Sequence, residues 1–338
     1  MKRNVELSAQ NTKILVCCHK SCVLPPDEEG LFLPIHCGAA ISNVELKMQR
    51  DDEVLGQPCD NISSKNGSYN ELTATYWAWK NIKKLYPDLE YIGLCHYRRY
   101  FNFAKKGSFF HRLEWYISES KVKSLGCGLG ALKKLMQNCD VVLPVPVYMP
   151  FSHSSAKGMF RSSTEGRIIE AVILKLHPDY KDALIRYNYK SNEQIFKNMF
   201  VMRWELFEQY AKWLFGILSE VEKLVKFAPY ANEKQTRMFG YTGEHLLPLF
   251  CIHNRLSITN RQLWFVTEAK NSRLPKLLCS NCFNNLRFVL NMLGVNVFPR
   301  HGVIQMISQG ESVEAMFKRV GVWDAIEQLK PVAPLSTH

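Results

Sequence analysis

The chain has 338 residues, 46% hydrophobic and 22% charged, the make-up of a folded protein and not of a disordered or fibrous one. A formal net charge of +12 predicts attraction to polyanions: nucleic acid, anionic lipid or phosphorylated small molecules. The positive residues are scattered, however, densest at KNIKK and HYRRY, and no Lys/Arg run resembles a nucleic-acid tail.

The length suits one large α/β domain with an appendage, or two modest domains. No apolar run reaches the length of a membrane span, and MKRNVELSAQNTK lacks the apolar core of a signal peptide. Cys17, Cys18, Cys95 and Cys251 sit inside apolar runs, where a free thiol behaves as a small hydrophobe. Cys279 and Cys282 form one CxxC with no second pair, too few ligands for zinc. A cytoplasmic protein is therefore expected, with contact to the inner face of the membrane as an option.

Thr12–Cys18 (TKILVCC) reads as the first strand of a parallel sheet, ending at His19 and Lys20. Residues 22–41 form an irregular, proline-bearing loop long enough to be functional. Asp51, Asp52 and Glu53 are an acidic cluster, read as a solvated turn in preference to a metal site. A polar loop from Asp60 to Ser68 then leads into a helix starting near Tyr69. Leu72, Tyr76, Trp79 and Ile82 form its apolar stripe, Ser68 is its cap, and Glu71 lies in its first turn. After Pro87 comes a buried strand, Tyr91–Leu94, which runs into Cys95, His96, Tyr97, Arg98 and Arg99. In open α/β sheets ligands sit beyond the carboxyl ends of the strands. The matched polar ends of these two strands predict one shared, anion-facing crevice.

Further on, a helix is expected around Leu129–Gln137 and a strand within Asp140–Val147. The polar stretch MPFSHSSAKGMFRSS, with His153 and Lys157, reads as a substrate-covering segment. Helices follow over Thr164–Leu176 and on to about Tyr187, then a short strand over Asn198–Met202 and a helix from Trp204 to about Val225. In QTRMFGYTGEHLLPLFCIHN, Arg237, Tyr241 and Glu244 share a helical face. That pattern fits either an internal salt bridge or a general base beside its positioning groups. LWFVT is the last strand, and residues 269–338, basic and apolar in patches, read as a helical appendage. Phosphate-loop, dinucleotide-binding, zinc-protease and serine-hydrolase motifs are absent from the sequence.

Taken together, DNIS-x-KN, YNELTATYWAWKN, YIGLCHYRRYF, NMF at 198–200 and RMFGYTGEHLL resemble a bacterial family of capsular, exopolysaccharide and O-antigen glycosyltransferases, formerly a domain of unknown function. The resemblance covers residues 12–268. It implies an α/β, GT-A-like (Rossmann-like) fold with a mostly parallel sheet flanked by helices: a transferase domain over 1–268 and the helical appendage over 269–338. It also implies transfer of a sugar, galactosyl or galactofuranosyl among others, from a nucleotide-diphosphate donor, taken as UDP-linked, to a saccharide or lipid-linked acceptor. Many GT-A enzymes end the equivalent strand in Asp-x-Asp, which holds a metal; here it ends in Cys95-His96-Tyr97-Arg98-Arg99. Metal-independent transfer is therefore expected, with no cofactor, and with Asp51, Asp52 and Asp60 in reserve should a metal be needed.

On the matched positions, Cys18, His19 and Lys20 would meet the nucleotide, and Asn61, Ser63, Lys65, Asn66, Asn70 and Glu71 would line the donor pocket. His96, Arg98 and Arg99 would bind the pyrophosphate. Glu244 would deprotonate the acceptor hydroxyl, positioned by Arg237 and Tyr241. Two other classes compete: a non-catalytic protein whose basic crevice holds phosphorylated polysaccharide or nucleic acid, and a phosphotransferase or hydrolase acting on a sugar phosphate. A carboxylate at 244 would repel the ligand of the first, and the second would need a metal or a nucleophile that the sequence does not display.

Overall fold

The computed structural model describes residues 7–26, 30–106, 114–123, 125, 128–149, 164–225, 236–267, 282–290, 293 and 312–333. Its frame is a nine-stranded sheet. The strands are β1 (Thr12–Cys18), β2 (Phe32–His36), β3 (Gln49–Arg50), β4 (Tyr91–His96), β5 (Arg99–Lys106), β6 (Glu114–Ile117), β7 (Val141–Pro144), β8 (Phe200–Arg203) and β9 (Ile258–Val266). The main helices are α1 (Leu72–Leu85), α2 (Leu129–Met136), α3 (Thr164–Leu176), α4 (Trp204–Leu224) and α5 (Met238–His253).

The sheet is mixed, which corrects the expectation of a mostly parallel one. β1 lies between β2 and β4, parallel to both, and β3 continues the parallel half. On the other side β8 runs antiparallel to β4 and β7, and β9 is antiparallel to β5 but parallel to β6 and β7. A tight turn at Tyr97-Arg98 reverses β4 directly into β5, pairing His96 with Arg99. Such a turn produces an antiparallel neighbour by construction, whereas parallel neighbours need a crossover.

Both faces of the central strands are buried, which explains their unbroken apolar runs. In β1, Leu15 and Cys17 face one core, while Ile14, Val16 and Cys18 face the other. β4 divides in the same way, Ile92 and Leu94 against Tyr91 and Cys95. This is the period-two alternation of a strand. Gly93 keeps the middle of β4 bare, because a Cβ there would lie 2.9 Å from Val201 Cγ2 and 3.0 Å from the Phe200 carbonyl. α4 covers the first face with Phe207, Tyr210, Trp213, Leu214, Ile217 and Val221 at three- and four-residue steps.

The helix expected to start near Tyr69 is broken. A short turn, Asn66–Tyr69, is followed by Asn70 at φ 50, and α1 begins only at Leu72. Ser68 does not cap α1; its hydroxyl donates to the Lys65 carbonyl. The helix expected to reach Tyr187 is a short piece, Lys181–Leu184, continued by a wide turn over Ile185–Tyr189. β9 starts at Ile258, earlier than LWFVT suggested.

Of the C-terminal stretch, a helix over 282–290 docks on Tyr148, whose backbone N–H donates to Asn284 Oδ1 at 2.7 Å. Two later helices, α6 (Val313–Arg319) and α7 (Trp323–Gln328), place Phe317, Val322 and Ile326 in the same core as α3 and α4. The expected substrate-covering stretch, residues 149–163, lies outside the described residues except for Met149, as does much of 269–311. Among the described residues no helix is long and apolar enough to cross a membrane.

Candidate active site

The parallel register of β1 and β4 sets Cys17 opposite His96, so the carboxyl ends of the two strands open side by side. The residues beyond them meet. The His19 ring stands edge-on to Tyr97 at 4.7 Å, and Lys20 Nζ lies 5.4 Å from the same ring. The Arg98 guanidinium is 5.4 Å from the rings of both Tyr97 and Phe265, and Arg99 is 4.8 Å from Phe265. Burial holds His19 below its usual imidazole range, and the charges of Lys20, Arg98 and Arg237, with His36, press it further the same way. The polar groups at the two strand ends are brought together around Tyr97 and Phe265.

A second group of side chains links this region to α5. β8 runs antiparallel to β4, with Phe200 opposite Leu94, and this delivers the residues just before β8 to His96. Two of them, Lys197 (φ 90) and Asn198 (φ 49), adopt left-handed conformations. His96 Nε2 hydrogen-bonds the Lys197 carbonyl at 2.5 Å and lies 4.0 Å from Glu71 Oε1. Asn198 Nδ2 donates to Glu71 Oε1 and to the Gly240 carbonyl, each at 2.8 Å.

Glu244, on the same helix as Gly240, is half-buried against this group. Burial, and then the neighbouring Glu71 carboxylate, push its carboxyl up to about 8; a hydrogen bond from the Lys197 backbone and the charges of Lys197 and Arg99 oppose the shift without cancelling it. A carboxyl raised towards neutrality by burial is suited to proton transfer. Burial likewise holds His96 below the usual imidazole range, against the pull of Glu71.

The glycines of GYTG in α5 make these approaches possible. A Cβ at Gly240 would lie 2.5 Å from Asn70 Nδ2, and one at Gly243 would lie 2.8 Å from Asn198 Oδ1. Asn70 Oδ1 in turn accepts from Arg237 Nε at 2.9 Å, and Arg237 sits over the Tyr241 ring at 5.7 Å. Arg237 is thus held by Asn70 and lies over Tyr241, the other side chain expected beside Glu244.

The remaining expected residues take other places. Asn66 Nδ2 donates to the Asn70 carbonyl and fastens the break before α1. Asn61 bridges Cys59 and Ser63 within the polar loop. Ser63 donates to Asp51, a fully buried carboxylate that also accepts from the backbone N–H groups of Gly38 and Ala39 at 2.8 and 3.0 Å. Lys65 pairs with Glu222 of α4 at 2.7 Å. Cys18 is buried, its sulfur 3.4 Å from Cys22.

The reserve acids are engaged too: Asp52 with Arg50 at 2.7 Å, and Asp60 with the Tyr76 hydroxyl at 3.1 Å. Among the described residues, no group of three or more His, Cys, Asp or Glu is arranged to hold a metal ion. The sequence reading missed Lys197 and Asn198 as site members, and the part played by Gly240 and Gly243. The glycine pair one helical turn apart was the legible signal.

Residues 13–255 match the family described as Domain of unknown function (DUF4422). The chain belongs to this family. The DUF4422 span contains every residue of the site except Phe265. No curated protein matches the chain. Among solved structures it is similar to the apo structure of WbbM, a bifunctional glycosyltransferase, with a TM-score of 0.66 and 28% identity. That match covers 76% of this chain and 46% of the WbbM chain, so this DUF4422 protein corresponds to less than half of its structural neighbour. The two share a mixed α/β fold, and the likeness supports a glycosyltransferase-like assignment of the family.

Proposed function

We propose that the protein is a GT-A-like glycosyltransferase that moves a hexosyl group, galactosyl or galactofuranosyl among the candidates, from a UDP-linked donor to a saccharide or lipid-linked acceptor of a bacterial surface polysaccharide. The observation that carries this reading is the gathering of His19, Lys20, Arg98 and Arg99 at the paired ends of β1 and β4, with the buried carboxyl of Glu244 on α5 near Arg99. The likeness to WbbM supports the reaction class.

In this reading the transferase unit is residues 1–268. The donor diphosphate lies against His19, Lys20, Arg98 and Arg99, with Arg237 at the edge. The guanidinium groups, planar forks suited to phosphate oxygens, take up the charge that grows on the leaving diphosphate. The acceptor hydroxyl attacks the anomeric carbon, the bond from that carbon to the diphosphate oxygen breaks, and Glu244 in its ionised form receives the hydroxyl proton. By the resemblance, Arg98 and Arg99 follow the strand that many GT-A enzymes end in Asp-x-Asp, so transfer is proposed to be metal-independent. The exposed Phe283, Leu286 and Leu293 in the 269–338 region are the surface by which a cytoplasmic enzyme would approach lipid-linked acceptors at the inner membrane face.

Thermal unfolding across a panel of nucleotides and nucleotide sugars, with and without EDTA, tests this, because a ligand bound only to the native state raises the melting temperature. Stabilisation by UDP and one UDP-sugar, unchanged by EDTA, is the expected result. Stabilisation by polyanions but by no nucleotide would overturn the transferase reading in favour of a binding protein. Loss of the effect in EDTA would overturn metal independence alone.

A further inference from the structure

His96 and Glu71 are each tied down through one polar atom and left with a second. The Lys197 carbonyl lies 2.5 Å from His96 Nε2. A carbonyl oxygen can only accept, so Nε2 carries the ring proton, and Nδ1 of the neutral imidazole remains an acceptor. Glu71 is held in a matching way. Asn198 Nδ2 donates to its Oε1 at 2.8 Å, and Oε2 has no hydrogen bond among the described residues.

The two anchors are consecutive residues with left-handed backbones, Lys197 at φ 90 and Asn198 at φ 49. Residues other than glycine adopt such conformations at a cost, and they persist where the surroundings enforce them, often at functional sites. The second Nδ2 hydrogen of Asn198 goes to the Gly240 carbonyl, which fastens the anchor to α5. Asn198 itself is 3% exposed, but the side chains of His96 and Glu71 keep 15% and 12% of their surface open to a ligand.

This pair differs in chemistry from the cations at the strand ends. His19, Lys20 and Arg98 gather around Tyr97. The alternation of β4 sets His96 on the face of Ile92 and Leu94, where its ring meets Glu71 at 4.0 Å. A carboxylate repels a diphosphate, and a neutral imidazole adds no positive charge to offset that. Two acceptors side by side suit the hydrogens of hydroxyl groups.

We infer that His96 Nδ1 and Glu71 Oε2 accept hydrogen bonds from hydroxyl groups of the transferred hexosyl group, with Lys197 and Asn198 as their positioning residues. This rests on the transferase reading above and deepens it by dividing the donor, the diphosphate to the cations and the sugar to this pair. It also moves His96 from the pyrophosphate, where the resemblance placed it, to the sugar. A site built to hydrogen-bond a hydroxyl rejects analogues that lack it, because its polar atoms are then left unpaired. His96 and Glu71 are thereby assigned to the choice of sugar.

One test needs no ligand. Nitrogen NMR of the full chain carrying isotope-labelled histidine is expected to show His96 at pH 7 with a protonated Nε2 and a bare Nδ1. Its signals are assigned by their absence from His96→Gln or His96→Asn. A proton on Nδ1 overturns the inference. The other test is calorimetric titration with UDP, and with whichever of UDP-galactose, UDP-glucose and UDP-galactofuranose stabilises the wild type most. His96→Gln keeps an N–H for the Lys197 carbonyl and removes the Nδ1 acceptor. Glu71→Gln keeps an oxygen for Asn198 and turns the other atom into a donor. Each variant is expected to bind UDP as the wild type does and the UDP-hexose about tenfold more weakly, the worth of one hydrogen bond. Should His96→Gln not fold, Glu71→Gln and the ligand-free spectrum still decide. Equal weakening of UDP and UDP-hexose would put the pair on the diphosphate and overturn the inference, and so would no change in either. In both cases UDP binding by the wild type leaves the transferase reading standing. A wild type that binds no UDP compound strikes that reading, and the inference with it.

Discussion

Asn70 is wedged against the backbone of Gly240, so that a methyl group on Gly240 would lie 2.5 Å from Asn70 Nδ2 and 3.2 Å from its Cγ. The same Asn70 breaks the helix before α1 and holds Arg237 through its Oδ1. Gly240→Ala is therefore expected to displace Asn70 and Arg237 together, at a cost of about 1–3 kcal/mol for overpacking. Gly130→Ala is the control, since a Cβ there meets nothing within 4 Å among the described residues. In the helix α2 that change should stabilise by roughly 0.5–1 kcal/mol. Urea unfolding of both variants measures the contrast; equal effects would show that the packing at Gly240 yields readily.

Glu244 links folding to pH. Its native carboxyl titrates at about 8 against a reference value of 4.5, so between these values the native state binds a proton that the unfolded state has released. Stability therefore falls as pH rises from about 4.5 to about 8 on account of this group. Glu244→Gln, which cannot ionise, is expected to raise the melting temperature most at pH 8 and least at pH 5. A difference independent of pH would show that the carboxyl titrates normally.

His19 should couple ligand binding to proton uptake. In the free protein, burial and the charges of Lys20, Arg98 and Arg237 disfavour its protonated form. A diphosphate among those cations removes much of that penalty, so His19 gains a proton on binding and affinity rises as the pH falls towards 6. A shift of one pKa unit corresponds to about tenfold in affinity. Calorimetry of UDP binding in two buffers of different ionisation enthalpy counts the protons. No uptake, or uptake that persists in His19→Asn, would remove His19 from the phosphate site.

Asp51 is expected to act on stability. Its carboxylate is fully buried and accepts from Gly38 N, Ala39 N and Ser63 Oγ, which ties the end of β2 to the polar loop. Hydrogen bonds to a charged group are worth about 1.5–3 kcal/mol each, so Asp51→Ala should cost about 3 kcal/mol or more. Urea midpoints with and without magnesium or manganese provide the check. A wild-type midpoint that climbs with divalent metal, and does so only when Asp51 is present, would make it a ligand instead.

Part of this architecture is written locally. β1, β4, α3 and α4 were legible to within a residue or two, because strands buried on both faces run apolar and long helices show their stripe. The start of α1 was not legible, since nothing in SYNEL announces that Asn70 takes a left-handed backbone. The first half of β9, ITNRQ, precedes the LWFVT stretch and lacks its apolar run; it is a strand because Ile258–Arg261 pair in parallel register with Val141–Pro144. The mixed sheet escaped for a related reason: strand direction is set by which neighbours pair, and pairing is a long-range choice.

By itself the sequence determined the chemical inventory of the site. Cations at two strand ends, a carboxylate on a glycine-marked helix and the absence of an Asp-x-Asp are properties of the residues alone. Only the tertiary structure decided what those groups are to one another. Asn198 and Glu71 stand 127 positions apart and meet at 2.8 Å because β8 returns antiparallel beside β4. The raised carboxyl of Glu244 arises the same way, from burial and from neighbours brought in by other segments. Desolvation and Coulomb energy depend on distance in space, and distance along the chain does not supply it.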